Sequence, residues 1–161
     1  MSNIVYHSFE PFYNINSEIL ILGSIPSVKS REASFYYMHP QNRFWNILEL
    51  VFKEKIGDSI LDKKKFLTKH KIALWDVIAS CEIDGSKDSS IKNVKVNNIL
   101  ELIKNSNVKY IFTTGKKAYE LYNKYCFNTI KIRAICLYSP SPANCAISLE
   151  ELVENYQVIN K

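Results

Sequence analysis

Along the chain, short continuous apolar runs alternate with stretches whose apolar residues recur every three or four positions. Glu18-Ile-Leu-Ile-Leu22 has the pattern of a strand covered on both faces. Phe44, Trp45, Ile47, Leu48, Val51 and Phe52 then fall on one helical stripe, and Ser59 to Lys69 predicts a second helix. Ile72-Ala-Leu-Trp-Asp-Val-Ile-Ala79 predicts a second strand, and Val96 to Lys104 a helix with Ile99, Leu102 and Ile103 on one face. Val108-Lys-Tyr-Ile-Phe-Thr113 predicts a third strand, Lys116 to Tyr125 a helix, and Ile130 to Leu137 a fourth strand. Ser148 with Glu151 three residues on predicts a capping box at the start of a last helix. Residues 1 to 17 carry several aromatics and are expected to pack as an irregular segment.

Strands alternating with helices predict an α/β fold of three α/β/α layers around a mostly parallel four-stranded sheet. No repeat, low-complexity segment or linker divides the chain, so residues 1–161 are expected to form one domain. In such a sheet, ligands bind at the carboxyl ends of the strands. Strand one ends in Gly23-Ser24-Ile25-Pro26-Ser27, and strand two leads to Cys81-Glu82 and Gly85-Ser86-Lys87-Asp88-Ser89-Ser90. Strand three ends in Thr113-Thr114-Gly115-Lys116, and strand four in Tyr138-Ser139-Pro140-Ser141-Pro142-Ala143-Asn144. All four deliver small polar residues to one edge, with Arg43, Lys87 and Lys116 nearby. That edge suits a neutral hydrogen-bonding ligand flanked by phosphates.

Charge and cysteine usage narrow the picture. The 161 residues are 47% hydrophobic and 23% charged, with 21 Lys and Arg against 16 Asp and Glu for a formal net charge of +5. That excess permits binding to a polyanion without demanding it. The chain shows no signal-peptide pattern, and its longest apolar stretches are too short to span a bilayer, so a cytoplasmic protein is expected. Cys81, Cys126, Cys136 and Cys145 lack the close pairs of a zinc or iron–sulfur motif and are expected to be ordinary reduced thiols.

Several chemistries lack their motifs. Gly115-Lys116 has no glycine five residues upstream and so is not a Walker loop, and there is no G-x-G-x-x-G fingerprint. No Gly-x-Ser-x-Gly elbow is present, and the histidines are scattered at 7, 39 and 70. His39 alone falls in a candidate site loop, where a hydrogen bond to the loop backbone is the favoured role. No cluster of histidines and carboxylates suggests a metal. Asn42 is either a turn or cap residue ahead of Arg43-Phe44-Trp45 or a group that orients a water through its carbonyl oxygen. A neutral amide suffices as a water holder only against a very reactive electrophile, such as the oxocarbenium-like state of glycosidic cleavage. Tyr36, Tyr37, Phe35 and Phe44 offer faces on which a base can stack, although Phe44 and Trp45 also suit a helix core.

Taken together, these segments resemble the uracil-DNA glycosylase superfamily and, within it, the hypoxanthine-DNA (deoxyinosine) glycosylase branch. Leu-Ile-Leu-Gly-Ser-Ile-Pro-Ser followed by Tyr-Tyr-Met-His-Pro-Gln-Asn-Arg-Phe-Trp resembles the branch's first motif. Leu74-Trp-Asp-Val77 with Ser80-Cys-Glu82 and the segment 85–91 resembles its middle part, and Ser139 to Asn144 its second motif. Tyr138 and Pro140 depart from the branch's usual Pro-Ser-Thr-Ser-Pro-Ala-Asn, and Ser139 stands where several uracil-removing branches have histidine.

The resemblance implies a monomeric, monofunctional DNA glycosylase that removes a deaminated base from DNA without metal or cofactor. Hypoxanthine is the expected base and uracil at mismatches the alternative; a non-catalytic DNA-binding domain of the same fold is the reading from a different class. Asn42 falls on the family's catalytic asparagine. Gly23, Ser24, Ile25, Pro26 and Ser27 are expected to line the base pocket, joined by Tyr36, Tyr37, Phe44 and Thr114. Ser139, Pro140, Ser141, Pro142, Ala143 and Asn144 are expected to enter the minor groove, with Arg43, Lys87 and Lys116 on phosphates.

Overall fold

The computed structural model describes residues 3–85 and 87–160; Met1, Ser2, Ser86 and Lys161 lie outside the described residues. In chain order the elements are β1 (Asn3–Tyr6), β2 (Ile19–Gly23), α1 (Val28–Ala33), α2 (Phe44–Phe52), α3 (Ile60–Lys69), β3 (Ile72–Asp76) and β4 (Ile78–Ile83). There follow β5 (Lys92–Val96), α4 (Ile99–Lys104), β6 (Tyr110–Thr114), α5 (Lys116–Tyr125), α6 (Phe127–Ile130), β7 (Ala134–Leu137) and α7 (Leu149–Tyr156).

The central sheet has the order β3-β2-β6-β7 with every neighbour parallel. Alternation along its strands divides the core in two. Ile21, Leu74 and Phe112 point to the side covered by α2, α3 and α7, where they meet Ile47, Leu48, Phe66, Leu152 and Tyr156. Leu20, Leu22, Ala73 and Ile111 point to the other side, against Ile99, Leu102, Leu121, Tyr122 and Ile130. A period of two thus feeds both helical layers from one strand. The helices answer with their own period: α2 buries Phe44, Ile47, Leu48 and Val51. Side chains start them, as Ser59 Oγ accepts from Asp62 N and Ser148 with Glu151 completes a capping box on α7.

Three expectations need correction. The run from Ile72 to Ala79 is two strands rather than one. After Asp76 the chain bends, Val77 N donates to Gly23 O and Ile78 N to Ser24 O, and β4 leaves for another sheet. That second sheet, antiparallel in the order β1-β4-β5, also absorbs residues expected to be irregular. Apolarity alone does not mark the turn, because Val77 and Ile78 are buried on both sides of it. The fourth strand is shorter than expected: Ile130 ends α6, and only Ala134–Leu137 pairs with β6.

Candidate active site

The carboxyl ends of β2, β3, β6 and β7 open into one cleft of about 880 Å³. Gly23 to Ser27, Tyr36, Tyr37, Asn42, Thr114, Lys87, Lys116, Ser139, Pro140, Ser141, Ala143 and Asn144 all border it. Phe44, Arg43 and Pro142 do not. The loops after β2 and β7 therefore close on a shared space, as their polar composition predicts.

Asn42 stands one residue before the N-cap of α2, and its Oδ1 accepts from Phe44 N at 2.9 Å. The cap role and the functional role are therefore compatible. That bond fixes the carboxamide, leaves one Oδ1 lone pair, and leaves Nδ2 without a protein partner among the described residues. His39 takes the backbone role expected for it: Nδ1 accepts from Gln41 N at 3.1 Å.

Three expected roles change. Arg43 is half-buried and turns its guanidinium towards the loop after β7. It donates to the carbonyls of Ile147 (2.6 Å), Asn144 (2.9 Å) and Ser141 (3.3 Å), while Arg43 N donates to Pro140 O. A fork so occupied braces the two site loops against each other, a role the sequence did not indicate. Phe44 is fully buried, with its ring stacked beneath Tyr37 at 3.8 Å, so a base cannot reach it. Tyr36 borders the cleft but is 2% exposed; it packs against Phe9 and Phe35 and donates its hydroxyl to Glu10 O. Burial, then the nearby Asp76 carboxylate, pushes its pKa far up.

Tyr37 adopts a left-handed backbone conformation (φ 56°), a strain of roughly 1–3 kcal/mol that functional sites commonly hold. Its ring lies on Phe44 and its hydroxyl meets Thr114 Oγ1 at 3.1 Å. Both sit above Gly23, where a Cβ would lie 3.3 Å from the Tyr37 hydroxyl and 2.4 Å from Asp76 Oδ1. Glycine is thus required there by close approach. Gly115 has the same need at the other loop: its φ is +96° and a Cβ would lie 3.2 Å from that of Ser139.

The loop after β7 is locked internally. Asn144 Nδ2 donates to Ser139 O, Ser141 N to Ser139 Oγ, and Ala143 N to Ser141 Oγ. At its start Tyr138 N donates to Asn155 Oδ1 and Tyr138 O accepts from the Tyr156 hydroxyl, while the Tyr138 side chain is 50% exposed at the cleft. Lys116, at the head of α5, and Lys87 are exposed on the rim, and neither makes an ion pair among the described residues.

One pair escaped the sequence analysis. His7 Nε2 lies 2.8 Å from Asp76 Oδ2, with the two side chains 2% and 5% exposed. Asp76 borders the cleft. An acidic residue inside an apolar run was the visible signal for it; nothing in the sequence tied His7 to a strand end 69 residues away.

Comparison with known proteins identifies the family and the fold. The sequence profile described as the uracil DNA glycosylase superfamily matches residues 10–157. The chain belongs to that superfamily. It is 35% identical over 115 residues to a protein of Methanosarcina barkeri (strain Fusaro) named hypoxanthine DNA glycosylase, covering 70% of this chain and 72% of the relative. A protein of the same name from Methanosarcina acetivorans is 34% identical over 121 residues, covering 73% and 75%. The solution NMR structure of a candidate uracil DNA glycosylase from Methanosarcina acetivorans superposes with a TM-score of 0.77 at 31% identity, covering 95% of this chain and 97% of that one.

Proposed function

We propose that this protein is a monofunctional DNA glycosylase that hydrolyses the N-glycosidic bond of a deaminated base, with hypoxanthine in deoxyinosine as its substrate. The observation that carries the proposal is Asn42: a carboxamide fixed by Phe44 N–H, bordering the cleft, with acceptor and donor capacity left for a water. Superfamily membership and two relatives named hypoxanthine DNA glycosylase support the reaction and the base.

The target bond is out of reach inside a duplex, so the nucleotide swings into the cleft. Unstacking costs a few kcal/mol and is least for a mispaired base. The Ser139–Asn144 loop, made rigid by its own hydrogen bonds and by Arg43, enters the minor groove, and Lys87 and Lys116 meet phosphates on the rim. As the glycosidic bond lengthens, the sugar gains cationic character and the base negative charge. Asn42 then directs water at the anomeric carbon, where little basicity is needed.

The test is incubation of the protein with labelled duplexes bearing one deoxyinosine or one deoxyuridine, followed by alkaline cleavage of abasic sites. Strand scission at deoxyinosine is expected. Scission mainly at deoxyuridine would reassign the base, and none at either with folded protein would overturn the enzymatic reading.

A further inference from the structure

Three aromatic residues border the cleft: Tyr36, Tyr37 and Tyr138. Tyr36 is closed off by burial, and Tyr37 has its ring on Phe44 and its hydroxyl on Thr114. Tyr138 alone keeps an open ring, half exposed at the cleft. The main chain behind that ring is clamped from α7. Tyr138 N donates to Asn155 Oδ1 at 2.9 Å, and Tyr138 O accepts from the buried Tyr156 hydroxyl at 2.7 Å. The first bond needs an N–H, which the proline usual at this place in the resembled branch would lack. Helix α7 is thus fitted to a residue other than proline, and it fixes where the ring starts.

We propose that Tyr138 is a stacking platform for the nucleobase beside the extruded one, and that it adapts the cleft to single-stranded DNA. This rests on the glycosylase reading above. Tyr138 immediately precedes the Ser139–Asn144 loop, so the strand that this loop holds passes the ring. In a duplex, the neighbouring base keeps one face stacked in its own helix, and the inserted loop covers the other. In a single strand neither face is covered, and a ring held at the cleft supplies the missing stack. Every base has a π-face, so the contact tolerates any neighbour.

The surroundings suit that role. Lys87 and Lys116 border the same cleft, and a basic groove with an aromatic platform is the combination that single-strand binders use. A base already unpaired costs least to bring into a pocket, so stacking beside it adds to affinity directly. Tyr138 binds the strand and takes no part in bond cleavage.

The test uses a single-stranded oligonucleotide and its duplex, each with one 2′-fluoro-deoxyinosine that resists cleavage. The fluorescent base 2-aminopurine stands beside it, on the 5′ side in one set and on the 3′ side in another. Wild-type protein is expected to quench 2-aminopurine in the single strand on one of the two sides, and Tyr138→Ala to leave it bright. Tyr138→Ala is also expected to lose at least ~5-fold more affinity for the single strand than for the duplex. Tyr138→Phe keeps the ring and should keep the quenching and the affinity ratio of wild type. Thermal unfolding confirms that each variant is folded. Equal losses on the two DNAs, quenching that survives in Tyr138→Ala, or Tyr138→Phe behaving as Tyr138→Ala would each overturn the assignment. So would a wild-type protein that does not bind the single strand. No release of hypoxanthine from unmodified DNA by the wild-type protein would instead overturn the glycosylase reading, while the quenching still decides the role of Tyr138.

Discussion

The guanidinium of Arg43, at the head of α2, donates to the main-chain carbonyl of Asn144 at 2.9 Å, joining the two loops that form the cleft. With the carbonyls of Ile147 and Ser141 it makes three charge-assisted bonds to the loop after β7. Arg43→Gln should lower stability by about 2–3 kcal/mol, since hydrogen bonds to charged groups contribute about 1.5–3 kcal/mol and several are lost together. Urea unfolding measures this. The salt dependence of DNA binding should stay as in wild type if the carbonyls rather than phosphates engage this fork; a shallower slope would show a phosphate contact as well.

Lys116 and Lys87 should behave in the opposite way. Each lies exposed on the cleft rim. Removing one phosphate contact lowers the slope of log K against log salt by about 1. Lys116→Ala and Lys87→Ala are each expected to show that change in a binding titration at several salt concentrations, with unfolding unaltered.

Gly23→Ala tests the crowding above β2. The new methyl would stand 2.4 Å from Asp76 Oδ1, so the carboxylate must move from its place beside His7. A stability loss of roughly 1–3 kcal/mol is expected from overpacking. Base release from deoxyinosine should fall further than that loss explains at temperatures where the variant remains folded. Equal rates for the two proteins would show that the cleft floor tolerates the shift.

Alkaline pH should unfold the protein through its buried tyrosines. Tyr36, Tyr122 and Tyr156 are at most 2% exposed and donate their hydroxyls to the carbonyls of Glu10, Ile132 and Tyr138. Burial is the main cause raising all three above the ordinary tyrosine value. A pKa raised on folding stabilises fully below the unfolded value of about 10, and that stability is lost as pH rises towards the folded value. Unfolding free energy should therefore fall steeply above about pH 10, by up to ~1.4 kcal/mol per pH unit for each tyrosine. Denaturant titrations with ultraviolet detection of tyrosinate follow both changes together.

Periodicity made much of the fold legible before any coordinates. The four parallel strands follow from short apolar runs, and α2, α3, α5 and α7 from their stripes and caps. What escaped is non-local. The bend at Val77 depends on the backbone bonds of Val77 and Ile78 to β2, which no local pattern encodes. The site was legible as a set of loops and much less so in its roles. Residue types placed Asn42, Gly23 and the Ser139–Asn144 loop at one cleft, but an arginine beside an asparagine reads equally as phosphate ligand or brace. Only the three carbonyls facing Arg43 decide between them. Tyr36 and Phe44 show the same limit, since an aromatic near a site loop can stack on a base or support the residue that borders it.

In the proposed reaction Asn42 carries the chemistry, and replacing it should separate catalysis from binding. Its Oδ1 also caps Phe44 N, so Asn42→Ala should lower stability by about 1 kcal/mol, whereas Asn42→Asp keeps the cap acceptor and serves as the folded control. The most direct measurement is single-turnover release of hypoxanthine from a deoxyinosine duplex by wild type and Asn42→Ala, with affinity for the same DNA measured alongside. A fall in release of about 10²-fold or more, with affinity within a few-fold of wild type, is the expected result. Release by Asn42→Ala at close to the wild-type rate would contradict the assignment of Asn42 as the water-orienting catalytic residue.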